Sequence, residues 1–170
     1  LLRQMFSLHL FGAPSGAPPF LWRLCLLAGL LAGPAAAADD VVLRAVAGSD
    51  YRAAREALIE SIESEGLVVG TPLPFGEMLV RTAPDGAGSP FVAAEIVQFC
   101  SSGLAREMVG EAPEQLALCP LSVALYVLPG EAGKVFLAYR SPGAATPARV
   151  RAAELLQRVV DRAAGLAPLR

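Results

Sequence analysis

Histidine is almost missing: the one such residue in 170 is His9, and the one tryptophan is Trp22. Both precede Asp39, in a stretch expected to be removed. A mature domain without imidazole cannot assemble a Ser-His-Asp or Cys-His pair. Nor can it offer imidazole to zinc, copper or haem, so no cofactor is expected. Acidic residues are missing before Asp39, and runs of basic residues are missing throughout. With Arg3 and Arg23 set aside, 12 Lys and Arg face 16 Asp and Glu, a formal charge of −4. Binding to nucleic acid by counterion release needs clustered cations, so no nucleic-acid partner is expected.

What is present begins with an uneven apolar fraction of 54%. Leu24 to Ala32 is an apolar core behind Arg23, followed by Gly33-Pro34 and a run of alanines. Ala36-Ala37-Ala38 fits the small-x-small cleavage pattern, and Asp39-Asp40 makes a polar mature start. The apolar core falls short of the ~20 residues that span a bilayer. Residues 1–38 therefore read as a cleaved signal peptide and 39–170 as a single domain, periplasmic or secreted, with no stable membrane insertion after cleavage. A buried N-terminal helix is the alternative. Cys25 stands at the start of the apolar core, away from any cleavage site, which argues against a lipoprotein anchor.

The mature part opens with a strand over 41–46. Ser49 is expected to cap a helix over 50–65, with Tyr51, Ala54, Leu58 and Ile62 on one face and Gly66 as its stop. A short strand over 67–69 precedes a proline-bearing turn at 71–75. The run 76–82, G-E-M-L-V-R-T, suits a strand by length and a helical turn by Met78, Leu79 and Arg81. Residues 84–90 form a Gly-rich linker without phosphate-binding spacing. A strand over 91–99 leads to Cys100. Ser101 or Ser102 caps a helix ended by Gly110, and Pro113 prevents its resumption. Residues 121–128 are apolar at almost every position, as in a strand buried on both faces. A hairpin at 129–133 leads into a strand over 134–140. Thr146-Pro147 starts a last helix, with Val150, Ala153, Leu156, Val160 and Ala163 on one face. This order predicts an α+β fold, a small mostly antiparallel sheet with helices packed on one face.

Reactive side chains at structurally marked positions are confined to 96–139, where Cys100 ends a strand and Cys119 precedes Pro120. An even pair of cysteines in an oxidising compartment reads first as a disulfide. It would close a loop of about 20 residues, worth on the order of 3 kcal/mol. If the strands before Cys100 and after Cys119 run parallel, the two lie at opposite sheet ends, beyond the ~7 Å limit between Cα atoms. If they run antiparallel, the bridge is easy. The second reading is a thiol redox pair, Cys100 activated at a helix N-terminus and Cys119 resolving it. The third is soft-metal binding, Cu(I) held by thiolates with Met78 or Met108, although methionines at helical spacing are more often core. Glu77, Glu95 and Glu107 have acid–base capacity but no partner in the sequence. Arg81 and Arg106 suit an anion, and Tyr126 and Tyr139 a cleft. Met78, Arg81, Arg106 and Tyr126 are the candidate ligand cleft, each with an ordinary surface or sheet role as its alternative.

The runs M-L-V-R-T, A-E-I-V-Q-F-C-S-S-G-L-A-R-E-M-V, L-A-L-C-P-L-S-V-A-L-Y and G-K-V-F-L-A-Y-R resemble the domain of unknown function 302 family. More narrowly, they are similar to its exported branch with an F-C-S and a C-P element. That branch often carries an aromatic after C-P, where this chain has Leu121. The resemblance spans most of 39–164 and implies a small α+β domain that pairs as a homodimer. Sequence and resemblance together predict an exported, non-catalytic binding or accessory domain for a small ligand or protein partner. The alternative is a periplasmic thiol redox or copper-handling protein using Cys100 and Cys119.

Overall fold

Alternating apolar residues build the strands, and a 3.6-residue period builds the helices that cover them. The computed structural model describes residues 40–167. The leader with its cleavage site, His9, Trp22 and Cys25 lie outside the described residues. The chain runs β1 (Val41–Ala47), α1 (Tyr51–Ser64), β2 (Val68–Val69), α2 (Phe75–Thr82), β3 (Ala93–Cys100), α3 (Ser102–Glu111), β4 (Leu121–Val127), β5 (Lys134–Arg140) and α4 (Pro147–Leu166). Short 3₁₀ turns at Pro84–Gly86 and Pro113–Leu118 fill two of the connections. The five strands form one antiparallel sheet in the order β1-β5-β4-β3-β2. The fold is α+β.

The core lies between this sheet and the helices α1 and α4. Val97, Val123, Leu125, Val135 and Leu137 point from the sheet toward Leu58 and Ile62 of α1 and Leu156 and Val159 of α4, all essentially inaccessible to solvent. Each such side chain contributes roughly 1.5–3 kcal/mol by leaving water. Along the opposite sheet face, neighbouring strands set Leu43, Ala138, Ala124 and Ile96 in one row and Ala45, Phe136, Tyr126 and Ala94 in the next. Leu43 is 56% exposed. No described helix layer covers this face. The eight-residue α2 instead sits by β3, where Gly76 makes the approach possible: a Cβ there would stand 3.2 Å from the Ala94 amide nitrogen.

Several boundaries differ from the sequence expectation for identifiable reasons. Asp50, not Ser49, caps α1, its carboxylate accepting from the Ala53 amide at 2.8 Å, while the buried Ser49 hydroxyl donates to the Asp50 carbonyl. The ambiguous run 76–82 is a helix. Gly110 lies inside α3, which stops at Glu111 because Ala112 is extended ahead of Pro113. Thr146 caps α4, with Pro147 in its first turn. Val150, however, is exposed, and the apolar stripe of α4 runs through Ala148, Ala152, Leu155, Leu156, Val159, Val160 and Ala163. Strand β4 is central, yet Ser122, Ala124 and Tyr126 on its second face are only half-buried.

Candidate functional site

The antiparallel pairing of β3 with β4 decides where the cysteines meet. Phe99 opposes Leu121, so Cys100 at the end of β3 and Cys119 just before β4 emerge at the same end of the sheet. A parallel arrangement would have separated them by the length of a strand. Opposed residues in an antiparallel pair have Cα atoms roughly 5 Å apart. One step beyond that register Cys100 falls opposite Pro120, so Cys119 is its diagonal neighbour, and the two thiols are close enough to interact. The peptide from Cys119 to Pro120 is cis.

Both cysteines are thiols in this structure, Cys100 exposed and Cys119 half-buried. Burial pushes the Cys119 thiol up from its ordinary pKa, and the neighbouring Cys100 thiol raises it further. Cys119 is thus harder to ionise than an ordinary thiol. Cys100 stands one position before the cap of α3. The Ser101 hydroxyl, not the Cys100 sulfur, takes the first-turn amide of Leu104, at 3.3 Å. The α3 amides therefore reach Cys100 less directly than the sequence suggests.

Beside the dithiol lies an open cavity of about 410 Å³. Leu118 and Pro120, the residues on either side of Cys119, help to line it, with Ser122 of β4 and Arg140 of β5. Arg140 pairs through Nε with Asp40 at 3.3 Å and remains largely exposed. The sequence gives little sign of this hollow, because its walls come from segments far apart in the chain.

The other candidates disperse. Met78 and Arg81 lie on α2, Arg106 on α3, and Tyr126 toward the far end of β4 from the cysteines, stacked on Phe136 with centroids 5.1 Å apart. None of them lines the cavity beside the dithiol. Met108 is buried in the core, a packing role. Among the described residues no three His, Cys, Asp or Glu side chains converge as a metal site.

Glu77 and Glu95 do come together, in a second cavity of about 340 Å³ that Tyr51 also lines. Arg55 Nε stands 2.6 Å from Glu95 Oε1. That oxygen is buried and receives no well-aligned hydrogen bond, so the contact is a charge pair of poor hydrogen-bond geometry. Burial, followed by the Glu95 carboxylate, pushes Tyr51 up to about 12, keeping its phenol neutral. Glu107 is held on the surface by Arg151 at 2.6 Å.

Fold and site together define a two-layer α+β domain with a thiol pair at one end of its sheet. The chain belongs to the family described as domain of unknown function DUF302, whose model matches residues 44–166. Among solved structures, an uncharacterized conserved DUF302 protein from Bacillus stearothermophilus is similar in fold. The TM-score is 0.61 at 19% identity, covering 74% of this chain and 99% of that one. No curated protein matches.

Proposed function

We propose that this is an exported accessory domain whose working group is the Cys100–Cys119 pair, cycling between dithiol and disulfide. The observation that carries the reading is the register, which brings two thiols to one sheet end with Cys100 open to solvent. An exposed bridge is more readily reduced than a buried one, which favours reversible exchange over a purely structural link. Cys100 is the first to react, because it is the exposed residue of the pair while burial raises the pKa of the Cys119 thiol. Export supplies the oxidising surroundings in which the pair would close. Differential alkylation and mass spectrometry, on protein purified without reductant and again after reduction, test this. The expected result is a 100–119 bridge that mild dithiol reductant opens in the folded protein. Two permanently free thiols, or a bridge reducible only after denaturation, would sink it.

The domain is also proposed to pair with a second copy through the uncovered sheet face, at the end away from the cysteines and the cavity beside them. Leu43 in one row and Phe136 with Tyr126 in the next give that face apolar side chains, which a partner subunit can cover.

A further inference from the structure

We infer that the cavity beside the dithiol selects its exchange partner, a low-molecular-weight disulfide that bears carboxylates. This rests on the dithiol reading and adds the substrate class. Strand alternation puts Cys100 on the same sheet face as Ile96, and Ile96 lines the cavity. Pro120, the register partner of Cys100 one step beyond Phe99 and Leu121, lines it too. Cys100 therefore stands at its rim. A volume of about 410 Å³ lies within the roughly 300–1,000 Å³ of small-molecule sites, and is too small for a folded partner. Among the described residues that line the cavity, Arg140 is the one charged side chain. Asp40 approaches it at Nε, and the Arg140 side chain is largely exposed. A guanidinium fork matches a carboxylate. Ser122 and Ser141 line the same cavity.

In the exchange, the Cys100 thiolate attacks one sulfur of the small disulfide. Its S–S bond breaks, the first small thiolate departs and takes up a proton, and Cys100 holds the other half as a mixed disulfide. Cys119, deprotonated, then attacks the Cys100 sulfur and expels the second small thiolate, which is protonated in turn. Two electrons pass from protein to small disulfide, giving the 100–119 bridge and two small thiols. The reaction runs backward with the corresponding thiols as reductant.

The part after residue 38 carries a formal −4, so its overall field slows an anionic reagent. A preference for an anion has to come from a local contact. The test uses the reduced mature chain with oxidised glutathione, neutral hydroxyethyl disulfide and cationic cystamine, each rate divided by that of the same protein unfolded in urea. Oxidised glutathione is expected to be favoured about tenfold over hydroxyethyl disulfide, the factor of a single contact worth about 1.4 kcal/mol. Arg140→Gln should erase the preference and leave the hydroxyethyl disulfide rate unchanged. Rates that rank as in urea and ignore Arg140→Gln would overturn the substrate class while the dithiol reading stands. Failure of all three reagents to form the 100–119 bridge would overturn both.

Discussion

At the scale of single residues, the two cysteines differ in how their surroundings treat them. Cys119 is partly withdrawn from water and faces another thiol, so its negative form is disfavoured. With limiting iodoacetamide near pH 7.5, the reduced protein should be labelled first at Cys100, by peptide mapping. Preferential labelling of Cys119 would refute the assignment of Cys100 as the entry thiol. In the oxidised protein, Cys100→Ser, Cys119→Ser and the double variant should lose similar stability, at most ~3 kcal/mol for a loop of about 20 residues. The bridge is lost with either partner, so the costs cannot add. Denaturant unfolding under oxidising conditions measures this. Additive costs would mean that each side chain acts by its own packing instead.

Among the elements, α3 and α4 are joined by a cap that crosses between them. Both Glu111 carboxylate oxygens accept from the Ala148 amide, at 2.9 and 3.2 Å, in the first turn of α4. The adjacent Gln115 side chain accepts from Thr146. The Thr146 hydroxyl, followed by the Ala148 amide, holds the Glu111 carboxyl below its ordinary value of 4.5. A depressed carboxyl stabilises the fold fully above its unfolded-state pKa, and the contribution disappears as pH falls through the lower, folded value. Glu111→Gln should therefore lower Tm at pH 7, with the gap to wild type closing well below pH 4.5. A gap that persists at pH 2 would show that the side chain matters through shape, not charge. The elements themselves were legible wherever apolar runs were long enough: α1, α4, β4 and β5 stand where expected, although the buried stripe of α4 leaves out Val150 and β4 is only half-buried on one face. In seven residues, 76–82 satisfy both periods, and only the seat of Gly76 against Ala94 selects the helix. The relative direction of β3 and β4 is not written in either strand. It depends on how α3 and the 3₁₀ turn return the chain, and with it went the proximity of the cysteines. The cavity was less legible still, since Val41, Ile96, Ser122 and Arg140 come to one hollow only once three antiparallel registers are set.

For the whole molecule, one sheet face is sealed by α1 and α4 while the other shows apolar residues to solvent. Light scattering at micromolar concentration should give a mass of two mature chains. Leu43→Glu, at a position 56% exposed and remote from the core, should shift that mass toward one. A monomeric wild type would remove the second copy from the picture. Mature material is expected to begin at or near Asp39, as N-terminal sequencing of secreted or periplasmic protein would show.

The cap between α3 and α4 has a kinetic consequence once the cysteines are joined. The bridge would turn residues 101–118 into a closed ring that contains Glu111, the acceptor for Ala148. With the bridge open, this segment would be free to open locally without unzipping the sheet. Local opening of this kind is what native-state amide exchange reports. Deuterium should enter 101–118 and the Ala148 amide faster in the reduced protein, with the β4 and β5 amides unaffected. Identical exchange in the two redox states would mean that the bridge restrains nothing the ladder does not already hold. A difference confined to the ring would make the dithiol a latch on the first turn of α4, releasing one end of that 20-residue helix without disturbing the sheet beneath it.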